Sequence, residues 1–244
     1  MDLRDLARRR TTPEQRRQLK RLALWPPVGG VRLGSLARTR PISRNYGWER
    51  GTPVDRFYID AFLRKHARYV RGRILEIGDD EYTRRYGGTA VAKSDVLHAG
   101  PGNPQATIVA DLADAPQIED ESFDCVICTQ TLLLIYDVKA AVRTLQRILS
   151  PGGMALVTVP GVSRICRDEA DEWGDYWRFT SDSATRLFAD EFGAEHVKAE
   201  AYGNVLAATA MLHGLAAEEV GAERLNDRDR DFEVLIGVSA RRPA

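Results

Sequence analysis

Apolar positions between residues 73 and 160 fall into short runs separated by polar stretches bearing glycine and proline. The runs at 73–77, 106–110 (ATIVA), 123–129 (FDCVICT) and 154–159 (MALVTV) are nearly continuous. That is the pattern of strands covered on both faces of a parallel sheet. A further strand is read at 90–95 (AVAKSD), closing on Asp95. Val138–Leu149 places Val142, Leu145, Ile148 and Leu149 on one stripe, which predicts an amphipathic helix. Ser150-Pro151-Gly152-Gly153 then reads as a stop and turn. The alternation continues with a helix at 181–190 capped by Thr180 or Ser181, a strand at about 196–201, an alanine-rich helix at 204–219 and a strand at 232–240. Upstream, Asp55–Val70 has helical spacing, and Pro13–Leu24 reads as a helix entered through Thr11 or Thr12.

These elements predict an α/β fold: a Rossmann-like, mostly parallel sheet of seven strands with helices on both faces. A helical and loop extension is expected over 1–53 and the main domain over 54–244. Segment 40–58 is too polar and aromatic for a plain connector and reads as a cap, with Arg44, Trp48 and Arg56 as its notable residues.

Composition narrows the function classes. Apolar residues make up 43% of the 244, and 35 basic residues balance 35 acidic ones. Nothing here points to a nucleic-acid partner, although residues 1–73 are rich in arginine, as in a solvated basic helix or an arm for an anionic partner. No stretch reaches the roughly 18 apolar residues of a membrane span. The opening MDLRDLARRR lacks the apolar region of a secretory signal, so a cytoplasmic location is expected. Cys125 and Cys128 form a Cys-x-x-Cys spacing inside a strand. Positions three apart on a strand face opposite ways, so they read as buried apolar residues, and no metal site is expected.

The candidate chemistry lies at strand ends, where open α/β sheets bind ligands. Glu76-x-Gly78 ends the first strand and runs into Asp79-Asp80-Glu81. Phosphate-binding turns offer bare N–H groups to an anion, and three carboxylates would repel one. A phosphate-free ligand with a positive centre suits this loop better. Asp95 follows 17 residues after Gly78, placed to accept ribose hydroxyls, and Asp111-Leu112 follows the third strand. Each aspartate is equally readable as a turn or helix-cap residue. Thr129-Gln130-Thr131 ends the fourth strand.

The segments LEIGDD, SDVLHA, ATIVADL, FDCVICTQTLLLIYD and RILSPGGMALVTVPG together resemble a class I S-adenosylmethionine (SAM)-dependent methyltransferase of the type-11 kind. GDYWRFTSDSATRLF and YGNVLAATAMLHGLAAEE resemble the sub-group associated with glycan biosynthesis. The resemblance implies SAM as cofactor and S-adenosylhomocysteine as product. It places Glu76, Gly78 and Asp79 at the methionine end, Asp95 at the ribose, Asp111 and Leu112 at the adenine, and Gln130 at the transfer crevice. The chain departs from the family in its loop, where only Gly78 remains of the usual glycines.

The implied reaction is transfer of a methyl group to a hydroxyl of a saccharide or a sugar-bearing small molecule. Such an acceptor needs a base, and Asp175, Arg178 and His98 are the candidate catalytic residues. Trp173, Tyr176 and Trp177 read either as stacking surfaces or as pins for their loop. A glycosyltransferase partner and an oligomer are compatible with the resemblance. The rivals are a degenerate SAM-fold scaffold protein, an oxidoreductase on a doubly wound sheet, and a methyltransferase-fold enzyme with a different reaction.

Overall fold

In the computed structural model, the strands are β1 (Gly72–Ile77), β2 (Val91–His98), β3 (Ile108–Val109), β4 (Phe123–Thr129), β5 (Leu149–Pro160), β6 (Val197–Tyr202) and β7 (Leu235–Arg241). They form one sheet in the order β3-β2-β1-β4-β5-β7-β6. Strands β1 to β5 pair in parallel, and β7 runs antiparallel to both β5 and β6. Within residues 41–244 the helices are α1 (Val54–His66), α2 (Glu81–Gly87), α3 (Val138–Ile148), α4 (Arg167–Glu172), α5 (Ser181–Phe192), α6 (Val205–His213), α7 (Ala217–Val220) and α8 (Ala222–Asn226).

The structure describes residues 12, 14–15, 25–27 and 30–244. The helix expected at Pro13–Leu24 and the arginine runs beside it fall largely outside them. The chain divides into two units, 1–40 and 41–244. The first contains a single 3-10 turn, Gly34–Leu36, among the described residues. The second holds the whole sheet.

Segment 41–53, read from the sequence as part of the extension, belongs to this second unit. Ile42 and Ser43 both donate backbone N–H groups to the carbonyl of His213, and Pro53 bridges Ala216. Arg50 pairs with Glu219, and Glu218 accepts from Thr52. The chain approaches closely here: a Cβ at Gly214 would lie 2.5 Å from the carbonyl oxygen of Ser43.

Two apolar layers cover the sheet. On one face Val126, Cys128 and Val157 pack with α3 and α5, through Val142, Leu145, Ile148, Phe188 and Phe192. On the other, Cys125, Ile127 and Leu156 meet α1 and α6, through Tyr58, Phe62, Ala207 and Met211. Strand alternation sends neighbouring residues to opposite layers, which explains the continuous apolar runs. Burial pushes the thiol of Cys128 up to about 12 and that of Cys125 higher still. Leu145 is fully buried, and truncating it to alanine costs about 2–5 kcal/mol.

Several boundaries differ from the sequence reading. Strand β5 begins at Leu149, and Pro151-Gly152-Gly153 forms an irregularity within it, opposite a register shift between Phe123 and Cys125. The alanine-rich helix ends at His213 with Gly214 left-handed at φ +67°, and a separate short helix follows. The acidic loop after Gly78 is the entry to α2. Strand β2 extends three residues past Asp95, to His98.

Candidate active site

A cavity of about 1170 Å³ lies over the C-terminal ends of β1, β2 and β4 and the turn after β3. Its floor is built at Gly78, where φ is +94°. The Gly78 N–H donates to Leu97 O at 2.9 Å, and its carbonyl accepts from Asn103 Nδ2 at 2.6 Å. A methyl group added at Gly78 would meet no protein atom within 4 Å. The backbone is therefore bare toward the cavity, the condition for close approach of a ligand.

Glu76 is 2% exposed and still borders the cavity. Its carboxylate accepts from the N–H groups of Tyr82 at 3.1 Å and Thr83 at 2.7 Å, the first turn of α2. Burial pushes its pKa up to about 7 in spite of these bonds. The three acids that follow have different fates. Asp80 pairs with Arg84 at 2.8 Å, and Glu81 pairs with Arg85. Asp79 accepts only from the Glu81 N–H at 2.8 Å and forms no ion pair among the described residues. It lines the cavity together with Glu81.

Asp95 corrects an expectation. It is 3% exposed and stands within β2, opposite Leu75, away from the cavity lining. Arg73 Nε donates to it at 2.9 Å, Thr107 Oγ1 at 3.1 Å, and Lys93 pairs with it at 3.1 Å. Burial works to raise its pKa, and the bonds from Arg73, Lys93 and Thr107 outweigh that and hold it below the usual range. Its carboxylate is spent inside the protein.

The residue at the end of β2 is His98, which lines the cavity. Its Nδ1 lies 2.7 Å from Gly100 O, and its ring meets Trp173 edge to face at 5.8 Å. The Gly100 N–H lies farther from the same Nδ1, at 3.3 Å; with the proton on Nδ1 toward the closer carbonyl, Nε2 is left as an acceptor.

Asp111 and Leu112 both line the cavity, as does Gln130. Asp111 Oδ1 accepts from Ala113 N–H at 2.8 Å and its side chain is exposed; Leu112 is 2% exposed. Gln130 has φ +49°, with its N–H bonded to Thr158 O at 2.9 Å. A non-glycine residue in the left-handed region is uncommon and concentrates at functional sites.

Asp175 and Arg178 are brought together but away from the cavity. They form a two-pronged ion pair, with the Asp175 side chain 2% exposed, and Arg178 also donates to the carbonyls of Trp177 and Arg164. Neither lines the cavity, and their expected catalytic role gives way to pinning the loop after β5. Trp177 also pins, donating Nε1–H to Ile135 O at 3.0 Å. Its neighbours Trp173 and Tyr176 do line the cavity.

The roof comes from 48–60 and from aromatic residues the sequence reading did not single out. Trp48, Arg56, Phe57 and Asp60 face the cavity from the cap and α1, Tyr82 from α2, and Tyr136 from the loop after β4. Arg56 donates to Tyr82 Oη at 3.1 Å and lies 5.9 Å from the Trp48 ring centre. A second compartment of about 120 Å³ shares Trp48, Arg56 and Gln130 with the first. Among the described residues, no cluster of three His, Cys, Asp or Glu side chains is arranged to hold a metal ion. No described helix is long and apolar enough to cross a membrane.

Residues 79–157 match the family model of a methyltransferase domain. A SAM-dependent methyltransferase from Mesorhizobium loti superposes with a TM-score of 0.53 at 18% identity, covering 78% of this chain and 98% of that one. The fold is that of the class I SAM-dependent methyltransferases. A SAM-dependent methyltransferase from Archaeoglobus fulgidus shares this methyltransferase fold at TM-score 0.51 and 10% identity, with 76% and 94% covered. So does the (4+2)-cyclase SpnF, at TM-score 0.52 and 17% identity, with 96% and 98% covered. At these identities the likeness is one of fold. No curated protein matches the sequence significantly.

Proposed function

We propose that the chain is a SAM-dependent O-methyltransferase acting on a saccharide or a sugar-bearing small molecule. The observation that carries this reading is the bare backbone at Gly78, flanked by acceptor groups at three strand ends. Those groups fit the cofactor of the fold. Glu76 and Asp79 suit the ammonium group and the positive sulfonium, and His98 Nε2 suits a ribose hydroxyl. Asp111 suits the adenine amino group, with Leu112 against the ring. When bound, the cofactor supplies an electrophilic methyl group.

The chain's own work is then to hold and orient. A cavity of about 1170 Å³ exceeds the roughly 300–1,000 Å³ of a typical ligand pocket, so it has room for a cofactor and part of an acceptor. Trp48, Tyr136 and Tyr176 are each at least half exposed at its edge, and amphipathic rings of this kind suit the faces of sugars. Holding both reactants in line supplies most of what an enzyme can contribute to such a displacement. The saccharide as acceptor rests on these rings and on the sequence resemblance.

Calorimetric titration with SAM and S-adenosylhomocysteine tests the reading, with micromolar binding of both expected. Absence of binding would leave the scaffold alternative. The alignment with the (4+2)-cyclase SpnF over 96% of the chain favours one second reading, a SAM-fold enzyme that transfers no methyl group. Transfer of labelled methyl from SAM to an added glycan separates the two.

A further inference from the structure

The 120 Å³ side compartment has a chemistry of its own. Beyond Trp48, Arg56 and Gln130, its wall adds Asp55, Ser163 and Arg164. A water molecule occupies about 30 Å³ of liquid, so the space holds one edge of a sugar ring but not a whole nucleoside. Gln130, held left-handed at φ +49°, stands between this compartment and the bare backbone at Gly78.

Asp55 is the carboxylate of this space. It sits in the first turn of α1, half-buried. Its neighbours are its own backbone N–H, that of Arg56, and the Arg56 charge. Among the described residues it forms no ion pair and accepts no side-chain hydrogen bond. Of the acids lining the main cavity, Asp60 and Glu81 are each held by an arginine. Asp175 is likewise taken by Arg178.

Resting on the methyltransferase reading, we infer that the side compartment seats the acceptor hydroxyl and that Asp55 accepts its proton. The acceptor oxygen bonds to the methyl carbon, the carbon–sulfur bond breaks with its electron pair going to sulfur, and the hydroxyl proton passes to the Asp55 carboxylate. Asp55 then releases that proton to water. Burial raises the Asp55 pKa, and the charge of Arg56, itself held by Tyr82, opposes that only in part. The titratable and charged groups facing Asp55 across the compartment are Arg56, Arg164, Tyr46 and Cys166.

The probes are the methyl glycosides of glucose, galactose, mannose and rhamnose. Saturation-transfer NMR reads their binding to protein loaded with S-adenosylhomocysteine, and labelled SAM reads transfer. Wild type is expected to bind at least one glycoside and to methylate it, with a rate that falls in acid. Asp55→Asn is expected to keep cofactor and glycoside binding, lose about 100-fold or more in rate, and lose the acid limb. Asp55→Glu is expected to recover part of the rate together with that limb, which a merely structural aspartate would not give. Transfer by Asp55→Asn within tenfold of wild type overturns the assignment. So does a loaded wild-type protein that binds none of the four glycosides. Failure of the methyltransferase reading itself is distinguishable: S-adenosylhomocysteine would then not bind, or the loaded wild type would bind a glycoside and transfer no labelled methyl to it.

Discussion

The contrast between Asp95 and His98 gives a prediction that separates stability from cofactor binding. Asp95 has a side chain 4% exposed, bonded to Arg73, Lys93 and Thr107. Bonds to a buried charge contribute about 1.5–3 kcal/mol each. The Arg73 and Lys93 side chains are 37% and 59% exposed, so solvent takes much of that back. Asp95→Ala is therefore expected to cost about 2 kcal/mol, or roughly 4–8 °C in Tm for a unit of this size. Its affinity for S-adenosylhomocysteine should change by less than about twofold. His98→Ala should do the reverse, losing one hydrogen bond of about 1–1.5 kcal/mol, or about tenfold in Kd, with little change in Tm. Thermal denaturation and calorimetric titration of both variants decide the matter. An Asp95→Ala protein that melts like wild type but binds the cofactor tenfold more weakly would refute the reasoning. The pH dependence follows from the lowered pKa of Asp95. Its contribution is fully present above the unfolded value of 3.8 and is lost as pH falls through the folded value. The stability gap to Asp95→Ala should thus stay constant from neutral pH downward and close only in strong acid.

Glu76 has the opposite sign: with a pKa raised from 4.5 to about 7, its contribution is complete below 4.5 and declines as pH rises through 7. Wild type should therefore lose on the order of 3 kcal/mol relative to Glu76→Gln over that range, and a Tm difference that is flat from pH 5 to 8 would contradict it. The Cβ of Gly78→Ala meets no protein atom within 4 Å but must hold φ +94°, so the variant should lose about 1–2 kcal/mol to backbone strain and bind S-adenosylhomocysteine at least tenfold more weakly; unchanged calorimetric affinity would remove Gly78 from the ligand's path. Asp175→Asn, which breaks the pair with Arg178, should lower Tm by several degrees while leaving cofactor affinity within twofold, both read by the same two assays.

The sheet was legible because strands covered on both faces need unbroken apolar runs, and β1, β4 and the body of β5 have them. At Gly78, Asp111 and Gln130, each a turn former at a strand end, the sequence signal and the cavity lining coincide. The site was misread at β2, because Asp95 resembled a strand-end acid while Val96-Leu97 still carried the apolar signal of a strand. Ion pairing to Arg73 and Lys93 comes from register and side-chain reach, which sequence spacing does not encode. The loss of the usual glycines masks helix α2 in the sequence. Its signals were present: acids at 80–81, arginines at 84–85 and glycines at 87–88, in the order a helix dipole favours. The pairing of Asp175 with Arg178 was equally local, three residues apart. Tyr82 and Tyr136 reached the cavity through tertiary packing alone.

Cys125 and Cys128 lie on one strand yet belong to opposite layers, the first facing α1 and α6, the second α3 and α5. Both are fully buried, and their thiols are held far from the reactive thiolate form. Neither can be alkylated until its own layer opens. A thiol reagent applied under native conditions therefore times two separate events with two built-in clocks. One clock runs with the layer that carries the roof of the cavity, through α1. The other runs with the layer of α3 and α5. If the roof opens to admit ligands, Cys125 should be labelled faster than Cys128, and a bound cofactor should slow the first clock more than the second.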